Sequence, residues 1–167
     1  MKIIECMKEL KLIEKKIQSN AEQIQKYASA VTTERYPFDT EVEQRKAVTS
    51  LIQSSQDLMR EYLKLKTRLD QTNLATMVMV EGTEDSIANW LIVRRKMGQA
   101  MAGTFAALNT REGDNRLRNA VPVDNTAPQV ITFYDEQDKN DMMAYWKNVV
   151  DRIDPILEVV NATTDLL

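Results

Sequence analysis

Four features of this sequence have side chains whose type and spacing could do chemistry. They are Cys6, Arg94, the seam residue Asn20, and a repeated Asn-x-x-Thr pattern running from Asn73 to Thr76 and again from Asn161 to Thr164. A thiol beside a base is a nucleophile, an inward arginine can hold a carboxylate, and buried amides can pair with one another. Each needs companions that the chain does not supply. With no histidine, Ser-His and Cys-His pairs, Glu-x-x-His di-iron sites and His-containing zinc sites are all ruled out. The four glycines, Gly82, Gly98, Gly103 and Gly113, are too scattered to write a phosphate-cradling loop. No order of carboxylates, arginines and Cys6 matches a catalytic design, so the expectation is no enzyme, no cofactor and no metal. Cys6 is the only cysteine; it cannot form an intrachain disulfide, and on an apolar stripe without a base it reads as a core residue rather than a reactive thiol.

The elements that carry these residues are helical. Ile3, Cys6, Leu10, Ile13, Ile17, Asn20, Ile24, Tyr27 and Val31 step by three and four in alternation, which keeps one stripe facing a partner helix. Asn20 interrupts that stripe, either fixing register with a partner or meeting solvent at a gap. Pro37 ends the helix by pushing Tyr36 out of the α region, and Thr40 with Glu43 forms a capping box for a second helix from Glu41 to about Asn73. The same step through Val48, Leu51, Ser55, Leu58, Tyr62, Leu65, Leu69, Thr72 and Thr76 folds it back along the first.

In the second half Gly82 marks a turn, and Thr83 is the expected N-cap of a third helix with Glu84 and Asp85 in its first turn. Its inner face runs Ile87, Trp90 or Leu91, Arg94, Met97, Met101, Phe105 and Leu108, and an arginine there calls for an acidic partner. Residues 110–129 read as an exposed loop, and VITFYD at 130–135 as a short strand whose expected mate is TMVMV at 76–80. Asp135 or Asp138 caps a fourth helix with Met142, Trp146, Val149, Ile153, Ile156 and Val160 on its apolar face. Pro155 is expected to kink or break it.

The repeated Asn-x-x-Thr falls where helices two and four end. Read as capping, each Asn takes the αL position at a helix C-terminus and each Thr takes exposed carbonyls; read as pairing, Asn73 and Asn161 meet across the bundle. Capping is the favoured reading. The resulting fold class is mainly all-α: long antiparallel hairpins in an extended four-helix arrangement, with a possible two-stranded β element. One domain spans 1–167, with one hairpin over about 1–76 and another over about 83–167.

Most of the chain resembles the septicolysin-like proteins of bacteria and their phages. The resemblance lies in the order TRLDQTNLATMV, EGTEDSIANWLIVRRK, an ITFYDE strand, and a last helix ending NATTDLL. It implies a small helical fold and, through the family name, a thiol-sensitive pore-forming cytolysin. The residues themselves favour a non-enzymatic helical structural protein that self-associates or docks to a larger complex, as in a phage or phage-like particle. A homo-oligomer or a protein assembly partner is therefore expected. A net charge of −3 disfavours nucleic acid. No apolar run approaches the ~20 residues of a spanning helix, and no signal peptide is recognisable, so a cytoplasmic or particle-bound protein without a stable membrane span is expected.

Overall fold

A computed structural model describes residues 1–33, 37–124 and 126–167. The protein is mainly α-helical with one small two-stranded sheet. It divides into two compact units, Met1–Ala75 with Val159–Leu167, and Thr76–Glu158.

The first unit is a helical hairpin closed by the chain ends. Helix α1 spans Ile3–Tyr27 and helix α2 spans Glu41–Ala75. At 1.5 Å per residue α2 is roughly 52 Å long. Side-chain contacts from Cys6 to Leu65, Glu14 to Tyr62, Asn20 to Ser55 and Tyr27 to Gln44 run in opposite order along the two helices, so they are antiparallel. Thr40 Oγ1 accepts the Glu43 main-chain N–H at 3.2 Å, which starts α2 as expected. The first helix stops at Tyr27, one turn short of Val31. There the buried Gln44 amide donates to the Tyr27 carbonyl at 2.9 Å, satisfying one of the orphan acceptors of the helix end. The expected effect of Pro37 on Tyr36 lies outside the described residues.

At the other end of the hairpin the two chain ends are joined. Ile3 N–H donates to the Thr164 carbonyl at 3.0 Å and Leu166 N–H to the Met1 carbonyl at 2.8 Å, around an antiparallel bridge between Lys2 and Asp165. Lys2 Nζ also meets Asp165 Oδ2 at 2.8 Å, and this ammonium lowers the Asp165 carboxyl below the ordinary aspartate value. Arg68 Nε donates to the Leu167 carbonyl oxygen at 2.6 Å, and the Leu167 N–H donates to Thr72 Oγ1 at 3.0 Å. Leu166 is thereby buried with Ile3, Cys6, Leu10, Ile13, Leu65 and Leu69 in the unit's core.

The second unit begins with strands β1, Met77–Val80, and β2, Thr83–Ser86, paired antiparallel with Val80 opposite Thr83. The mate of the TMVMV strand is therefore TEDS, not VITFYD. The two-residue turn explains why: Glu81 has φ 47° and Gly82 φ 80°, and two positive φ angles make the turn whose twist matches a tight hairpin. Thr83 is consequently a strand residue, and the helix is capped by Ser86, whose Oγ accepts the Asn89 N–H at 3.2 Å. Helix α3 (Ile87–Ile92), a π-helical turn (Val93–Met97) and helix α4 (Gly98–Ala106) follow one another without a break. Within the wider π turn Arg94 and Met97, both expected inside, are exposed, whereas Gly98 just past it is buried and the expected inner residues Met101, Phe105 and Leu108 are half-buried.

Helix α5, Arg111–Leu117, occupies part of the segment expected to be loop, and the described residues of 118–135 form no helix or strand beyond an isolated bridge between Val123 and Thr126. Helix α6, Glu136–Thr163, starts where Asp135 Oδ1 accepts the N–H groups of Gln137 and Asp138 at 2.8 and 3.0 Å. It runs through Pro155 without the break that proline allowed for.

Candidate functional site

The α1–α2 hairpin is sealed at one end and open at the other. From Ile3 to Ile13 the α1 stripe is buried, but Ile17, Asn20, Ile24 and Tyr27 are only half-buried, as are Val48, Leu51, Ser55, Leu58 and Tyr62 opposite them. Two helices alone cannot cover a seam; water reaches its flanks. Along one flank of α2 lie Ile52, Met59 and Leu63, 45%, 57% and 53% exposed. Spacings of seven and four put them on one side of the helix beside the seam. The apolar stripe of α2 is thus wider than α1 can cover.

Asn20 sits in the middle of this open half. Its Nδ2 donates to Ser54 Oγ at 3.2 Å and to Ser55 Oγ at 3.1 Å, while Ser55 Oγ donates to the Leu51 carbonyl at 3.0 Å. Asn20 therefore meets the partner helix rather than solvent at a gap. One polar layer across an otherwise apolar seam disfavours a slip of the helices, because a shifted register would leave the amide against leucine or isoleucine. Two turns towards the sealed end, the Tyr62 hydroxyl donates to Glu14 at 2.9 Å, a bond that raises the phenol above its ordinary value.

Cys6 lies in the sealed half. It is fully buried, its Sγ is 3.8 Å from the Leu65 carbonyl, and burial raises the thiol above its ordinary value despite the opposing charges of Arg68 and Lys66. A neutral, inaccessible thiol is a poor nucleophile. Arg94, on the π turn, pairs with Asp154 of α6, the acidic partner an inner-face arginine calls for, although it sits at the surface.

The two Asn-x-x-Thr segments do neither of the things expected of them. Asn73 and Asn161 lie within α2 and α6, each two residues before the last helical one, and neither has the positive φ of an αL cap. Among the described residues no hydrogen bond joins them, and Asn73 Oδ1 is buried without a partner. The hydroxyls that take helical carbonyls are those of Thr72, bonded to the Arg68 carbonyl at 2.8 Å, and Thr163, bonded to the Val159 carbonyl at 2.9 Å. Thr76 and Thr164 contribute main-chain carbonyls instead, to Ile87 N–H and Ile3 N–H, each at 3.0 Å. The repeat therefore marks places where the chain leaves a helix, and its threonine position hands a main-chain acceptor to another segment.

Sequence reasoning passed over Gln44 and Arg68, which tie a helix end and a chain end, because a long polar side chain on a helix gives no sign of a distant carbonyl. Among the described residues no three Cys, Asp or Glu side chains gather as metal ligands. Comparison of the chain with protein-family models, with curated proteins and with solved structures yields no match.

Proposed function

We propose that this chain is a non-enzymatic helical assembly protein that self-associates through the open half of the α1–α2 hairpin, as a building block of a larger complex such as a phage or phage-like particle. The observation that carries this reading is the stripe of Ile52, Met59 and Leu63 beside a half-buried seam. A third helix laid on that flank would bury both, and a second copy supplies one with the same heptad spacing. The Asn20 layer fixes the register of the hairpin that such an assembly would repeat. The test is a variant carrying Ile52→Glu and Met59→Glu, both at exposed positions that a folded monomer tolerates. It should keep its helical circular dichroism and lose self-association. Unchanged association of the folded variant refutes the reading.

The resemblance to septicolysin-like proteins carries the rival reading, a thiol-sensitive pore former. The burial of Cys6 weighs against thiol sensitivity, and among the described residues no helix is long and apolar enough to cross a membrane. Leakage of dye from liposomes, abolished by Cys6→Ala, would establish the rival.

A further inference from the structure

Within Thr76–Glu158, the end of α4, helix α5 and the segment 128–134 border a cavity of about 510 Å³. Its volume is that of a small-ligand site. Gly113 lets the segment lie close against α5, since a Cβ there would meet Val130 Cγ1 at 2.7 Å. Tyr134 holds the other end, its ring centroid 5.5 Å from the Lys139 ammonium. Between these contacts Ile131 and Phe133, which also line the cavity, are 70% and 92% exposed. The apolar edge of the cavity is therefore open to water.

The charge of this cavity has one sign. Leu108, Leu117, Ala120 and Pro128 contribute apolar wall, and among the described residues Arg116 is the single charged residue that lines it. Two of its polar side chains are already engaged with the chain. Asn109 donates to the Ala106 and Ala107 carbonyls at 3.3 and 3.0 Å and accepts the Arg111 N–H at 3.0 Å, and the Thr110 hydroxyl donates to Asp114 at 2.8 Å. Arg116 is not engaged in this way. Glu112 stands four residues before it on α5, the spacing of a helical ion pair, yet Arg116 forms no ion pair among the described residues. The main-chain N–H groups from 129 to 134 likewise have no carbonyl acceptor among the described residues, which adds neutral donors along the same cavity. Apolar walls, one guanidinium, free donors and no acidic side chain suit a ligand with an apolar body and an anionic end.

We propose that this cavity binds a small amphiphilic carboxylate, of the kind of a medium-chain fatty-acid anion. The carboxylate pairs with the Arg116 guanidinium, and the hydrocarbon lies between α5 and the 128–134 segment, where it covers Ile131 and Phe133. The site belongs to Thr76–Glu158 alone and stands independently of self-association through the hairpin.

Calorimetric titration of the native chain with sodium octanoate tests the proposal, with octylamine as the same hydrocarbon chain carrying the opposite charge. Octanoate should bind saturably, one per chain, at millimolar concentration or below, and more tightly than octylamine. Arg116→Gln should weaken octanoate at least about fivefold, the low end for a charge-assisted bond partly open to water, and should not weaken octylamine. Ile131→Asp combined with Phe133→Asp, both at exposed positions, should keep the native circular dichroism and abolish octanoate binding. The absence of saturable octanoate binding, equal affinity for octanoate and octylamine, an unchanged affinity in Arg116→Gln, or binding retained by the Ile131→Asp, Phe133→Asp protein each overturns the proposal.

Discussion

Replacing Asn20 by Leu separates stability from specificity in the hairpin seam. The change removes two neutral hydrogen bonds, to Ser54 and Ser55, worth together about 1–2 kcal/mol at a half-exposed site. Neither serine is left stranded, since Ser55 Oγ still donates to the Leu51 carbonyl and Ser54 is exposed. In return a half-buried leucine joins Ile17, Ile24, Leu51 and Leu58, and half of a full leucine burial contributes about 1 kcal/mol. The unfolding free energy should therefore change by no more than about 1 kcal/mol, whereas Asn20→Ala, which loses the bonds and gains little, should lose about 1–2 kcal/mol. What Asn20→Leu should lose is uniqueness: without the polar layer several registers and copy numbers become comparable. Urea unfolding at fixed protein concentration reads the first effect and sedimentation velocity the second. A loss beyond about 2 kcal/mol, or a sedimentation profile as narrow as that of the native chain, would refute the reasoning.

Three further outcomes follow from the structure. Asn73→Ala should be neutral or stabilising by up to about 1 kcal/mol, because it removes a buried unpaired carbonyl and improves helix propensity. Combined with Asn161→Ala it should be additive within about 0.5 kcal/mol in a denaturant double-mutant cycle, and coupling above that level would revive the pairing of the two amides. Gly98→Ala puts a Cβ 2.5 Å from Val150 Cγ2; overpacking should exceed the helix-propensity gain of about 1 kcal/mol, and adding Val150→Ala should restore much of the loss in thermal unfolding. The Asp165 carboxyl is lowered by Lys2 in the folded chain, so its contribution is present above the unfolded value of about 3.9 and is lost as pH falls through the lower folded one. Asp165→Asn should accordingly narrow the difference in urea midpoint between neutral and strongly acidic solution, with the two proteins converging at the acid end.

The parts of the fold that periodicity controls were legible. The stripes from Ile3 to Val31 and from Val48 to Thr76 each follow a three-four step, and the two helices follow them as far as Tyr27 and Ala75. Asp135 and Thr40 announced their helices because a short polar side chain before an apolar periodic run has few other uses. Misreadings arose where local chemistry outweighed pattern. Glu81-Gly82 closes a tight hairpin with the residues immediately after it, so TEDS, which has little strand propensity, became β2 in place of the more β-prone VITFYD. The π turn at Val93–Met97 leaves no mark on composition, yet Arg94 and Met97 within it are exposed where the pattern placed them inside. The Asn-x-x-Thr repeat was visible as a pattern, but its use was not, since the hydrogen bonds at those positions come from main-chain carbonyls that every residue carries.

Sedimentation equilibrium of the native chain over a hundredfold range of concentration tests self-association most directly. The account predicts a mass that rises to a defined multiple of 19.2 kDa and falls back to the monomer in the folded Ile52→Glu, Met59→Glu protein. A native chain that remains at 19.2 kDa throughout that range would contradict it.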